Sequence, residues 1–146
     1  MPNKTSPAVA GFDGPRKTAL ESIRAFCLSC MGGSRTLVTC CQTTVCGFYA
    51  YRRGVIEPGA PRRLLRVVRT YCEACAPEGD VKGCTAGRCY LSLDPCPVWP
   101  FRTGSNPYIT QTQREKLRRH AQEQYNLAGP EARFRPRIDA AGVNHG

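Results

Sequence analysis

The chain has 146 residues, of which 41% are hydrophobic, and its mean hydropathy of -0.39, with 14 glycines and 12 prolines, leaves little material for a large core. No stretch approaches the roughly 18 apolar residues that a membrane helix needs, so we expect no membrane partner. The 21 lysines and arginines outnumber the 11 aspartates and glutamates, and the formal net charge of +10 favours an anionic partner.

The cysteines provide the strongest chemical signal. The N-terminal residues include no apolar segment of signal-peptide length, so we expect a reducing, intracellular setting in which structural disulfides do not persist. Two CxxC pairs, Cys27/Cys30 and Cys72/Cys75, are each followed by further cysteines after a loop, which is typical of zinc sites. Zinc is therefore the preferred interpretation, ahead of disulfides or a redox-active CxxC.

The pattern predicts two modules in tandem. The boundaries are a disordered tail at 1–12, zinc module one at 13–54, a linker at 55–61, zinc module two at 62–108, a basic helix at 109–129 and a flexible tail at 130–146. Each module has only about forty residues, a size at which an apolar core rarely suffices without a metal.

Module one is expected to begin with a helix. Asp13-Gly14-Pro15 has the composition of a helix start, and Leu20, Ile23 and Cys27 form one apolar stripe that ends at the CxxC pair. The helix should therefore deliver its last turn to the metal. The β-branched segment Arg35–Thr39 then predicts a short strand.

The ligands of module one are chosen by spacing. Cys40 and Cys41 are adjacent and point in different directions, and the alignment of Val38 with Val81 places Cys41 opposite Cys84. Cys41 is preferred, although Cys40 in its place stays open. The predicted ligands are Cys27, Cys30, Cys41 and Cys46.

Module two repeats the same order. Leu65, Val68 and Cys72 lie 45 positions after Leu20, Ile23 and Cys27, in a helix that also carries an arginine face. The predicted ligands are Cys72, Cys75, Cys84 and Cys96. Whether Cys89 replaces Cys84 or Cys96 stays open.

The C-terminal segment is predicted as a basic helix. Thr112 and Glu115 stand in capping-box register, Leu117, Ala121 and Tyr125 follow at helical spacing, and a Gly-Pro stop comes after them. The predicted fold is therefore a small, metal-stabilised α+β fold of two four-cysteine zinc modules, each with a helix, a zinc knuckle and a short hairpin, followed by a basic helix.

Basic and aromatic residues alternate in both modules, as on single-strand-binding surfaces where bases stack and phosphates are neutralised. The alternative is that the aromatic side chains, above all Tyr51 and Phe101, are buried over the zinc sites and that the charged side chains are only solvated. The residues predicted to contact DNA or RNA are Arg52, Arg53, Arg62, Arg66, Arg69, Trp99, Arg102, Arg114 and Arg118. Two Zn²⁺ ions with four thiolates each lower the net charge to 10 - 4 = +6, which is still basic.

The sequence does not predict an enzyme. Four thiolates close the shell of a zinc ion, whereas a catalytic site keeps one position open for water. His120 and His145 have no partner at catalytic spacing, and no P-loop or other catalytic motif is present. We therefore expect two structural ions and no small-molecule substrate.

The segments CLSCMGGS (27–34) and CPVWPFRTGSNPY (96–108) resemble a loosely characterised group of small proteins encoded by bacteriophages and prophages. In that group CxxC-x-GGS leads to a closure of the form CPLYPYRxGxNP, often twice, followed by a basic helix. The resemblance covers most of residues 20–127, but module one lacks both closure prolines, and module two has APEG instead of GGS and an added YLSLDP segment. It implies zinc, a phage-like origin and the bacterial cytoplasm, and it implies no particular activity.

The function predicted from these features is a zinc-binding, nucleic-acid-binding accessory or regulatory protein of phage or prophage origin. The alternative is a zinc-stabilised adaptor that binds a host or virion protein through an apolar patch of Trp99, Tyr49 and Val98. Charge reversal at Arg66 and Arg69 separates these hypotheses.

Overall fold

The structure is a computed structural model that describes residues 8–128, so the predictions for 1–7 and for the C-terminal tail at 130–146 lie outside the described residues. The chain divides into two compact units, one up to Tyr108 and one from Ile109. The first contains helices α1 (Ala19–Cys30), α2 (Arg35–Thr39) and α3 (Leu64–Cys75) and 3₁₀ turns at Tyr49–Tyr51, Pro77–Gly79 and Trp99–Phe101. The second contains helix α4 (Gln111–Leu127). No helix within residues 8–128 is long and apolar enough to cross a membrane.

The predicted α+β class is wrong for the described residues, which contain no strand and only one isolated antiparallel bridge, between Tyr90 and Leu93. Arg35–Thr39 is helical because the Ser34 side chain caps it, accepting a hydrogen bond from the Leu37 N–H at 3.3 Å. A short helix satisfies its backbone locally, whereas a lone strand needs a partner, so capping outweighs β-branched content.

The hairpin predicted for module two is also absent from the described residues. Its place is taken by the 3₁₀ turn Pro77–Gly79, in which Glu78 and Gly79 both have positive φ, at 55° and 74°. The Asp80 side chain then accepts a hydrogen bond from the Gly83 N–H at 3.1 Å. A segment that turns twice within seven residues cannot extend into a strand.

Helix α1 begins later than the sequence predicts. Thr18 caps it, and Thr18 and Glu21 form a reciprocal capping box. Asp13 instead accepts hydrogen bonds from the Cys89 N–H and from Arg88, both at 2.9 Å. These contacts, the Cys89 N–H first, hold the pKa of Asp13 below its usual value.

Helix α4 likewise uses a different capping box from the predicted one. Thr110 and Gln113 form it, two residues before Thr112 and Glu115. No residue of α4 is buried.

The two modules contribute equivalent residues to one hydrophobic core. Helices α1 and α3 have twelve residues each and start 45 positions apart, and each ends at the second cysteine of its CxxC pair. The core joins residues from both modules, namely Ile23, Phe48 and Tyr51 with Val68, Val98, Phe101 and Tyr108. Val9, from the predicted tail, and Ile56 and Ala60, from the predicted linker, pack against it. The modules therefore share one interior.

Candidate metal centres and arginine groove

The first cysteine cluster consists of Cys27, Cys30, Cys41 and Cys46, which line one cavity of about 360 Å³. The last turn of α1 supplies Cys27 and Cys30. Cys41 follows α2, where its N–H donates to the Val38 carbonyl at 3.3 Å, and Cys46 opens the turn that leads to Tyr49. Three separate segments thus meet at this cavity.

The second cysteine cluster consists of Cys72, Cys75, Cys84 and Cys96, which line a cavity of about 390 Å³. The last turn of α3 supplies Cys72 and Cys75. The carbonyl of Cys84 accepts a hydrogen bond from Trp99 Nε1 at 2.8 Å, and the N–H of Cys96 donates to the Ala86 carbonyl at 2.7 Å. The backbone N–H groups of Val98 and Trp99 hydrogen-bond the Cys96 side chain, as the amides of a zinc knuckle do.

The two remaining cysteines lie outside both cavities. Cys40 is exposed at the C-terminal end of α2. Cys89 is exposed as well, and its backbone is held by Asp13. Their positions are consistent with the role of spare cysteines that the spacing predicts for Cys40.

The thiols in each cluster influence one another electrostatically. Burial, and then the neighbouring cysteines Cys46, Cys30 and Cys41, raise the pKa of Cys27 to about 11. In the second cluster, burial followed by Cys96, Cys75 and Cys84 raises the pKa of Cys72 to about 12. A half-buried thiol whose pKa is raised in this way resists ionisation in the absence of a cation, and a bound divalent ion would favour its thiolate form.

The donor chemistry therefore fits zinc, with four sulfurs per cavity. Within residues 8–128, however, no three histidine, cysteine, aspartate or glutamate side chains already converge closely enough to hold an ion. The eight ligands and the two zinc ions stay a prediction.

An aromatic pair separates the two clusters. Phe26 and Tyr71 directly precede the CxxC pairs, line both cysteine cavities and meet edge to face with their centroids 5.2 Å apart. Tyr71 also stacks on Phe48 at 4.1 Å. Burial, and then cysteines of both clusters, raise the pKa of Tyr71. The preserved aromatic before each CxxC pair was the signal that could have identified this wall from the sequence.

Three of the predicted nucleic-acid contacts are structural. Trp99 is only 7% exposed, with its ring against Phe12 and the Arg102 guanidinium, so no base can stack on it. Arg102 donates to the carbonyls of Val81 and Trp99, and Arg52 donates to Tyr49 and Glu57. The same burial removes the apolar patch predicted for the adaptor, because Val98 is 1% exposed.

The other predicted arginines are exposed, but they differ in their partners. Arg53 and Arg69 form ion pairs with Glu57 and Glu73, at 3.3 and 2.7 Å. Arg114 and Arg118 lie on α4, in the second unit.

Arg62 and Arg66 line a third cavity of about 970 Å³, which we call the arginine groove. Arg63, which the sequence pattern did not single out, lines it too, together with Tyr49 and Tyr71. No carboxylate of the described residues pairs with any of these three arginines.

No protein-family model matches this chain, and no curated protein or solved structure matches it either.

Proposed function

We propose that this protein is a zinc-stabilised, nucleic-acid-binding protein of accessory or regulatory kind, and that the arginine groove is its contact surface. The observation that carries the proposal is the convergence of Arg62, Arg63 and Arg66 with two tyrosines in one cavity, without a carboxylate partner among the described residues.

The charge arrangement at the start of α3 favours an anion. Arg63 occupies the N-cap position without a side-chain cap, and the first turn contains no acidic residue. Positive side chains repel the positive end of the helix dipole, and a bound phosphate relieves that repulsion. The equivalent end of α1 is closed by Thr18 and Glu21, so the open end belongs to α3 alone of the two.

The aromatic lining favours a single strand. Tyr49 and Tyr71 are partly exposed and line the same cavity as the arginines, although Arg52 lies over one face of the Tyr49 ring and Phe48 stacks on one face of the Tyr71 ring. Bases stack on such rings while guanidiniums neutralise the phosphates. A volume of about 970 Å³ is at the upper end for small-ligand pockets. A short run of linked nucleotides therefore suits the groove better than one small molecule.

Zinc has a structural role in this proposal. The eight cysteines of the two clusters would hold the ions, and the chemistry supplied is tight cross-linking of segments that a small core cannot hold together. Cys46 lines both the first cysteine cavity and the arginine groove, so the metal centre would hold one wall of the groove.

The test is charge reversal in the groove. We expect R62E/R66E to weaken binding of a labelled single-stranded oligonucleotide at least about tenfold and to lower the salt slope by about 1.4, or roughly 0.7 for each phosphate that the variant no longer neutralises. Fluorescence anisotropy across a salt series measures both quantities.

The matched control is R35E/K82E, which changes the net charge equally. Arg35 and Lys82 are exposed and lie outside the groove lining. Equal weakening by both double variants would show a diffuse charge effect instead of a site. Absence of any affinity at low salt, with both zinc ions bound, would refute nucleic-acid binding altogether.

A protein-binding adaptor remains the second candidate because of one observation. Tyr90, Leu91 and Leu93 form an exposed turn, with relative exposures of 73%, 100% and 71%, and Leu91 has a φ of 55°. An adaptor would use this turn instead of the buried Trp99. Under this hypothesis R62E/R66E would leave function intact, whereas L91S/L93S would abolish it.

A further inference from the structure

Arg52 and Arg102 lie fifty positions apart and make the same contacts in the two modules. Each lines one cysteine cavity. The Arg52 guanidinium lies 3.8 Å from the centroid of Tyr49 and donates to the Tyr49 carbonyl at 2.7 Å. The Arg102 guanidinium lies 3.5 Å from the centroid of Trp99 and donates to the Trp99 carbonyl at 3.2 Å. Each charge is thereby fixed against its cluster.

The two arginines differ in two contacts. Arg52 forms an ion pair with Glu57 at 2.9 Å, whereas Arg102 has no carboxylate partner among the described residues. They also differ at Nε. Arg102 Nε donates to the Val81 carbonyl at 2.9 Å. Arg52 Nε is buried and has no partner, the single buried side-chain nitrogen or oxygen of the described residues in that state. Native proteins rarely leave such a group unpaired, so an acceptor is to be sought in the cavity that Arg52 lines.

Cysteines line that cavity, but no sulfur lies in hydrogen-bond geometry with Arg52 Nε in the structure, so such a bond would form only when a bound ion draws the thiolates together. Each Zn²⁺ with four thiolates carries a net charge of -2 in a half-buried position, where a fixed positive charge is effective.

We propose that Arg52 and Arg102 are positioning residues of the two metal centres: each guanidinium offsets part of the thiolate charge, and Arg52 Nε also donates a hydrogen bond to a thiolate of the first cluster. This inference rests on the zinc part of the proposed function and is independent of nucleic-acid binding. It reassigns two arginines that the sequence predicted as nucleic-acid contacts.

The first experiment is chelator competition at fixed pH on the full chain loaded with two zinc ions. In R52Q, the first cluster loses its ion at about 10–100-fold lower chelator activity than in the wild type, ahead of the second cluster. R102Q weakens the other ion by a similar factor. R53Q is the control for the first cluster, because Arg53 is exposed and shares the partner Glu57, and K82Q is the control for the second.

A second readout separates positioning from mere structural support. With cobalt in place of zinc, the sulfur-to-metal charge-transfer band moves to lower energy in R52K, which keeps the charge but lacks Nε, because the thiolate loses a hydrogen bond. R102K leaves the band in place, since Arg102 Nε donates to the Val81 carbonyl and not to a thiolate.

E57Q removes the ion pair at 2.9 Å while keeping the guanidinium, and zinc affinity then stays within about threefold of wild type.

Wild-type release in both R52Q and R102Q would overturn the inference while leaving the proposed function standing. A wild-type chain that binds no divalent metal would overturn both the inference and the zinc part of that function. If R52Q does not fold, R52K decides, and an unshifted cobalt band in R52K would overturn the hydrogen bond.

Discussion

At the scale of single residues, the structure separates cysteines that lie close together in the chain. Cys41 lines the first cysteine cavity and Cys40 does not; Cys84 lines the second and Cys89 does not. Adjacent residues after the end of a helix have side chains that point in different directions. Only one of the two adjacent cysteines, Cys40 and Cys41, therefore lines the cavity.

The expected consequence is a difference in metal content. C41S and C84S should each lower the bound zinc from two ions to one per chain, because three sulfurs hold the ion more weakly, whereas C40S and C89S should keep two. Metal analysis after desalting measures the stoichiometry. Loss of zinc in C40S together with retention in C41S would assign the ligand to Cys40.

Tyr51 and Phe101 allow a second test at this scale, because they occupy equivalent buried positions but only Tyr51 has a hydroxyl. That hydroxyl donates to the Pro61 carbonyl at 2.6 Å. Y51F should lower the free energy of unfolding by about 0.5–1.5 kcal/mol, because a partly buried hydrogen bond is lost.

Urea unfolding of the metal-loaded chain measures the change. Y49F is the control: the Tyr49 hydroxyl has no hydrogen bond within the described residues, so this variant should unfold like the wild type. Equal stability of Y51F and the wild type would mean that water replaces the missing bond.

At the scale of elements, the caps decide where helices lie. Helix α1 and α4 have the same capping box, formed by Thr18 with Glu21 and by Thr110 with Gln113. Helix α1 buries Ile23 in the core, whereas no residue of α4 is buried. The same device therefore supports a core helix in one unit and an exposed helix in the other.

We expect T18A to lower the free energy of global unfolding by about 1 kcal/mol, the usual effect of removing an N-cap side chain. T110A should leave global unfolding unchanged and only increase hydrogen exchange at the start of α4, because no core depends on that helix. Urea unfolding and amide exchange measure the two effects. A global effect of T110A equal to that of T18A would show that α4 contributes to the stability of the first unit.

At the scale of the whole molecule, the two modules share one hydrophobic core instead of folding around separate cores. Ile23 and Phe48 of module one pack in the same cluster as Val68, Val98 and Phe101 of module two. The Phe26–Tyr71 wall is common to both cysteine cavities. Loss of the ion from one cluster should therefore lower the zinc affinity of the other.

The variant C27S/C30S tests this coupling. It should lose the first ion, shift the amide resonances of Val68 and Val98, and weaken zinc binding at the second cluster about 5–150-fold, the usual range for coupled sites. NMR spectra and chelator competition measure these changes, with C40S/C89S as the control. Unchanged resonances and affinity in module two would mean that the modules are independent.

Features that depend on local spacing could be predicted from the amino-acid sequence. These are the two helices that end at CxxC pairs, the equivalence of Arg52 with Arg102, and the excess of positive charge. Apolar periodicity and cysteine spacing act within a few residues along the chain, so they can be recognised without the fold.

Which side chains are available to a partner could not be predicted from the sequence, because their exposure depends on the fold. Arg102 bonds Val81, 21 positions away, and Asp13 bonds Cys89, 76 positions away. Such contacts hold Trp99, Arg52 and Arg102 beside the cysteine clusters and leave Arg62, Arg63 and Arg66 exposed in the arginine groove. The burial of a side chain depends on contacts with segments that are distant in the chain, and the local spacing of residues does not predict those contacts.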